Sequence, residues 1–327
     1  MPGNAATSKS APSGRPPGAT HARARPRLGR PRLLLVGCGD VGLRIVARLR
    51  GRFRIFGTVT QPARAAALRA AGAIPLVLDL DAPVTPAGQR RAARRARIAG
   101  LATRVVVLAP TSARGTLDRR APRLLHELSA GRTPPAGSRL VYISTTGIYG
   151  DRGGAWTDET TPPRPGNERA QRRLDAERRL RASAWHAAVL RVPGIYAADR
   201  LPLERLRAGI PVPLPDQDVF TNHIHAEDLA RACIAALQRA APGRVYNTID
   251  DTQLQLGAYL DAVADHARLP RPPRAPWDEM RAAAGPARMS FLAESRRVRN
   301  RRMKGELRVR LLYPDVVAGL AGMGVVD

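Results

Sequence analysis

Three glycines with the spacing Gly37-x-Gly39-x-x-Gly42 follow the apolar run Leu33 to Val36 and open an amphipathic stretch from Val41 to Leu49. A strand, a glycine turn and a helix in that order form a pyrophosphate cradle. The first glycine permits the tight turn, the second lets the phosphates approach the backbone, and the third lets helix and strand pack closely. The helix start adds free N–H groups and the positive end of its dipole. Cys38, Asp40 and Val41 fill the remaining positions of this candidate loop. Proteins that bind NAD usually carry a carboxylate about 20 residues further on for the ribose hydroxyls. No Asp or Glu occurs between Leu43 and Leu78; Thr58, Thr60 and Arg64 stand at the end of the second apolar run instead. Hydroxyls and a guanidinium suit a 2′-phosphate, so the expected cofactor is NADP(H), with NAD the alternative. The competing reading of Arg64 is one more surface arginine.

Positioning that loop requires a parallel sheet. From Arg32 onward, apolar runs expected as strands alternate with helical patterns: Leu33 to Val36, helix Val41 to Leu49, Arg54 to Val59, helix Ala63 to Ala71, Pro75 to Leu80, and Arg104 to Ala109. Leu140 to Ser144, Ala188 to Val192 and Val245 to Ile249 continue the series. The expected fold class is α/β, a Rossmann-type doubly wound parallel sheet of about seven strands with a smaller C-terminal substrate lobe. The expected organisation is a disordered basic tail over 1–30, a dinucleotide-binding core over 31–193, and a last sheet strand with the smaller lobe over 194–327. Ligands should lie beyond the carboxyl ends of the strands, which brings Ala109 close to the cofactor.

Composition excludes several classes. Among 327 residues, 44% are hydrophobic, enough for a sizeable core. Cys38 and Cys233 form neither a disulfide framework nor a zinc pattern, which points to a reducing, cytoplasmic setting. The sequence shows no metal-ligand spacing, no apolar run of membrane-spanning length and no secretory h-region. The net charge of +27 invites a nucleic-acid reading. Only Lys9 and Lys304 are lysines, however, and the arginines are spread through Ala-rich stretches such as Arg90 to Arg97. That pattern fits solvated helix faces, so no specific nucleic-acid partner is expected.

The stretch Val141-Tyr142-Ile143-Ser144-Thr145-Thr146-Gly147-Ile148-Tyr149-Gly150 resembles the extended short-chain dehydrogenase/reductases, the NAD-dependent epimerase/dehydratase family. Leu190-Arg191-Val192-Pro193-Gly194-Ile195-Tyr196 is similar to the family's strand and loop beside the nicotinamide, and Asn222 to Asp228 to its Ile-His-x-x-Asp turn. Asp79-Leu80 resembles the pair flanking the adenine, while Ser295 to Val298 and Tyr313 to Asp315 look like closing elements of an atypical subgroup. The resemblance implies a small-molecule substrate, with Thr145 on the reacting oxygen and Pro193 and Tyr196 by the nicotinamide. It also implies a homodimer that could pair through the two helices after Gly115 and Asn167.

The family's chemistry uses a Tyr-x-x-x-Lys pair, whose lysine and oxidised nicotinamide lower the phenol pKa for proton exchange. Aligned on Glu177, the tyrosine position holds Arg169 and the lysine position Arg173, and no tyrosine is followed four residues later by lysine. Arginine keeps its proton and is no ordinary acid or base. Candidates to replace the donor are Tyr149, Tyr196, His223 and His225. Each competes with a packing or turn-ordering role. If Arg169 and Arg173 project together, they need an anion between them: a carboxylate of Asp158 or Glu159, or one on the substrate. Asp151 is a further loop carboxylate within reach of a substrate. Three functions remain open: an NADP(H)-dependent oxidoreductase or epimerase-like enzyme acting on an anionic molecule, a catalytically silent redox sensor, and a nucleic-acid-binding protein.

Overall fold

The structure, a computed structural model, describes Gly3 and residues 29–82, 98–129, 132–284 and 294–324. The expected tail, apart from Gly3, Gly29 and Arg30, lies outside the described residues, as does the stretch Arg90 to Arg97.

Seven parallel strands form the central sheet: β1 Arg32–Val36, β2 Arg54–Val59, β3 Ile74–Val77, β4 Arg104–Val107, β5 Arg139–Thr145, β6 His186–Val192 and β7 Val245–Asn247. Their order is β7-β6-β5-β4-β1-β2-β3, the Rossmann order, with its switch point between β1 and β4. Residues alternate between two cores, as the period of two in a strand demands. Leu33 and Leu35 of β1, Val106 of β4 and Val141 and Ile143 of β5 pack on one face with α1 (Asp40–Leu49), α2 (Ala65–Ala71) and, further along the chain, helix Ala226–Arg239. Leu34 and Val36, Val105 and Val107, and Leu140 and Tyr142 face α3 (Arg120–Ser129) and α4 (Glu168–Arg181). Helix Ala226–Arg239 is α5. A continuous apolar run is therefore what a strand covered on both faces requires.

Several expected strands end earlier than their apolar runs. Pairing reaches Leu78, whose N–H donates to Val59 O at 2.9 Å, before Asp79 Oδ1 turns the chain by accepting from Asp81 N. Leu108 N and Ala109 N both donate to Val36 O, which bends the chain off the end of β4. The expected helix from Ala63 begins as a 3₁₀ turn at Pro62–Arg64, because proline supplies the fixed φ of a first turn.

A separate apolar cluster holds the smaller lobe together. Tyr196, Leu206 and Val212 pack with Leu256, Leu260 and Val263 of α6 (Leu256–His266) and with Val316 and Leu320 of α7 (Val316–Ala321). Among the described residues no helix is long and apolar enough to cross a membrane, and no His, Cys, Asp and Glu cluster is placed to hold a metal ion.

Candidate dinucleotide and substrate site

The glycine loop has the geometry its spacing requires. Gly37 has φ +81°, and a Cβ there would lie 2.7 Å from the backbone of Ala109, so neither the turn nor the approach of β4 tolerates a side chain. Its N–H donates to Thr58 Oγ1 at 2.8 Å, and Cys38 N donates to Thr58 O at 2.9 Å, which pins the turn to β2. A Cβ on Gly42 would meet Cys38 Sγ at 2.8 Å and Leu108 at 3.3 Å, so this third glycine serves packing. Nothing lies within 4 Å of a Cβ built on Gly39. No side chain caps α1, whereas Asn167 caps α4 and His225 caps α5. The first amides of α1 are thus left for a ligand. Cys38 and Val41 are buried, and burial pushes the Cys38 thiol up to about 11, so both act as core. The Asp40 carboxylate instead accepts from Arg44 at 2.9 Å and from Arg200 at 3.3 Å.

Beyond the ends of β1, β2, β3 and β4 lies a cavity of about 430 Å³. It brings together Gly37, Cys38, Gly39, Thr60, Arg64, Asp79, Leu80 and Ala109, which are scattered over seventy positions of the sequence. Asp40, Val41 and Gly42 do not line it. Arg120, which sequence patterns did not single out, forms part of the wall. Its Nε donates to Asp81 Oδ1 at 2.8 Å and its Nη1 to Pro110 O at 2.9 Å, and this pairing holds the Asp81 carboxyl below the usual range. A larger cavity of about 950 Å³ lies at the opposite end of the strands, beside Arg32, Arg54 and Ile74. Parallel sheets bind ligands at their carboxyl ends, where the smaller of the two cavities lies.

A second cavity, of about 480 Å³, continues along the same edge beyond β5 and β6. Thr145, Arg169 and Pro193 line it, together with Thr146, Gly194, Asn222 and His223. Thr145 Oγ1 accepts from Gly147 N at 3.1 Å and so leaves its own proton for another acceptor. Arg200, Arg205 and Arg296 join Arg169 around the cavity, against one carboxylate, Glu294. Glu294 pairs with Arg296 at 2.8 Å. Burial, and after it the neighbouring Arg173 and Arg172, lower the Arg169 pKa.

Four expectations need correction. Tyr149 is fully buried; its hydroxyl donates to Asn247 Oδ1 at 2.8 Å and accepts from Arg191 at 2.9 Å, so it cannot reach a substrate. Tyr196 is 1% exposed and donates to Asp315 O at 3.1 Å within the small-lobe core. Arg173 does not line the cavity: it donates to Ile143 O at 2.7 Å and to Tyr142 Oη at 3.2 Å, because β5 offers it a carbonyl at closer range. Asp158 and Glu159 do not neutralise the two arginines, since Thr160 N donates to Asp158 and Asn247 N to Glu159. Asp151 accepts from Gly153 N and Ser295 N in its loop, and His225 caps α5 through Glu227 N. Arg200 and Arg205, missed by sequence reasoning, had no signal to distinguish them in a chain with 54 Lys and Arg, whereas Arg296 stood in the Ser295 to Val298 segment without a site role of its own.

A family model described as the NAD dependent epimerase/dehydratase family matches residues 121–248. A search of curated proteins finds no match. Among solved structures, a functionally unknown conserved protein from Silicibacter pomeroyi DSS is 32% identical, with 90% of this chain and 98% of that one covered and a TM-score of 0.71. The human epimerase family protein SDR39U1 (isoform 2) with NADPH is 17% identical, with 89% and 98% covered and a TM-score of 0.65. UDP-glucose 4-epimerase from Thermotoga maritima with UDP-glucose is 14% identical, with 89% and 97% covered and a TM-score of 0.67; these last two share the fold. A phosphate loop on a sheet of Rossmann order, a match over β5 to β7 and a relative aligned along nearly its whole length agree: the chain belongs to the NAD-dependent epimerase/dehydratase family.

Proposed function

We propose that the chain binds NADP(H) in the first cavity and acts as an oxidoreductase or epimerase-like enzyme on a small anionic molecule in the second. The observation that carries this reading is the convergence of Arg169, Arg200, Arg205 and Arg296 on one cavity beside Thr145 and Pro193. Guanidinium groups that crowd a shared space are relieved by a carboxylate or phosphate, held through forked charge-assisted hydrogen bonds. Glu294 pairs with Arg296, and Asp40 with Arg200. Bound NAD(P) supplies or accepts a hydride at its nicotinamide ring. Thr145 would donate to the reacting oxygen, Pro193 would help hold the nicotinamide end of the cofactor, and the arginines would hold the anionic end of the substrate.

Arg64 and the absence of a carboxylate at the end of β2 support NADP(H) over NAD. A ligand screen with NADPH present tests the substrate class: acidic metabolites should be enriched, and Arg169→Ala should weaken them about tenfold or more while NADPH binding persists. A screen that returns only neutral molecules, or unchanged acid binding by the variant, overturns the reading.

The burial of Tyr149 favours one second reading, a redox sensor that binds cofactor without turning over. Both hydrogen-bonding positions of its hydroxyl are occupied inside the fold, and this leaves the family's proton donor without a replacement from that strand end. Slow exchange of the nicotinamide C4 hydrogen between NADPH and an enriched ligand separates the two readings: transfer establishes an enzyme.

A further inference from the structure

The second cavity also holds a buried imidazole with one ring nitrogen engaged by the fold and the other beside the lining. His223, in the short strand His223–His225, is 6% exposed and lines the cavity. Its ring stacks on Tyr259 with centroids 4.0 Å apart and meets Tyr196 edge-on at 6.3 Å, which fixes its plane. Nε2 lies 2.8 Å from Thr221 Oγ1. That hydroxyl has one proton; with Leu254 O, 3.2 Å away, as its acceptor, it accepts in turn from Nε2–H. A neutral imidazole carries one N–H, so in that tautomer Nδ1 presents a lone pair. Burial lowers the ring pKa to about 3, so the neutral form persists at physiological pH. Nδ1 lies beside Gly194, itself part of the lining: a Cβ built on that glycine would be 3.6 Å from it. The arginines around it can only donate, so His223 supplies an acceptor of a kind they cannot provide.

We propose that His223 Nδ1 accepts a hydrogen bond from a hydroxyl of the substrate, and that the cavity therefore selects hydroxylated carboxylates over the same acids without the hydroxyl. This inference rests on the reading of the cavity as an anion site. A site built around a polar partner rejects an analogue lacking it, because the site's own group is left unpaired on closure. His223 is here a specificity-determining residue.

Calorimetry with NADPH-saturated protein and matched pairs of acids tests it: malate against succinate, 3-hydroxybutyrate against butyrate, and gluconate against hexanoate. The hydroxy acid of at least one pair should bind about tenfold or more tighter. His223→Phe, which keeps a ring against Tyr259, should bring that pair to equal affinity while the plain acid binds as before. If no acid binds the parent, the anion site itself falls and hydroxyl selection with it. If acids bind but the pairs are equal, or the variant keeps the preference, His223 loses its role and the anion site stands. Nitrogen-15 NMR of the parent reads the same point without a variant: Nδ1 should resonate as an unprotonated nitrogen and move with the hydroxy acid alone. A protonated Nδ1 overturns the proposal.

Discussion

Gly39 combines tolerance by the fold with intolerance by a ligand. Its φ of −94° suits any residue, and a side chain there meets no protein atom within 4 Å, yet it would enter the space beside the uncapped start of α1. Gly39→Asp should fold normally and lose NADPH by about 100-fold or more, since it adds bulk and negative charge at the proposed pyrophosphate site. Calorimetry alongside a thermal unfolding curve checks both halves, and unchanged binding by a folded variant would remove the assignment of this loop. Arg64 bears on cofactor choice. Losing one charge-assisted contact costs about 1.5 to 3 kcal/mol, so Arg64→Ala should weaken NADPH about 10-fold to 100-fold and leave NADH nearly unchanged. Equal affinity of the parent for both cofactors would sink the preference for NADP(H).

At the scale of elements, the helix that carries Arg169 is locked to the sheet by a buried ion pair. Glu177 of α4, 1% exposed, meets Arg191 of β6 at 2.9 Å, and Arg191 passes a further hydrogen bond to Tyr149. Glu177→Ala leaves a guanidinium uncompensated in the core, a change that costs about 3 to 5 kcal/mol. Denaturant unfolding should show that loss, whereas Glu177→Leu combined with Arg191→Met should recover most of it. A single variant as stable as the parent would contradict the pairing. Asp228 plays a comparable part on α5: fully buried, it accepts from Leu312 N and Tyr313 N and so ties the C-terminal segment to the helix. The Ile-His-x-x-Asp turn is therefore a joint between elements, with His225 as its cap.

Across the whole molecule, buried titratable groups make stability depend on pH from both sides. Burial pushes Asp250 up to about 7, so the folded chain keeps a proton that the unfolded chain has lost by about pH 4, and stability falls as pH rises between these values. His223, lowered to about 3, and His225, lowered in the same direction, act oppositely. The unfolded chain protonates them below about pH 6.5 while the folded chain does not, so stability also falls as pH drops through that range. Asp250→Asn removes only the first effect. Its stability relative to the parent should improve by about 2 kcal/mol between pH 5 and pH 8, as read from unfolding curves at the two values. A constant gap between variant and parent would show that Asp250 ionises freely in the fold.

Local rules were enough for much of this protein. Alternation of apolar residues with helical stretches requires a parallel sheet covered on both faces, and only glycine satisfies the turn at Gly37 and the contacts at Gly42. The lining of the first cavity was accordingly legible as a set of strand ends, apart from Arg120. The lining of the second cavity was not. Its residues come from the end of β5, the start of α4, the loop after β6, the short strand at His223 and the segment at Arg296, and no local pattern says which arginines of an arginine-rich chain will meet. Tyr149 and Arg173 carry chemistry-bearing side chains at family positions, yet partners distant in sequence, Asn247 and Arg191 for one and the β5 backbone for the other, draw them out of the cavity. Backbone conformation and face periodicity depend on neighbours along the chain, so the sequence alone determined the sheet and the phosphate loop. Side-chain convergence depends on which distant segments the crossovers bring together, and that only the tertiary structure decided.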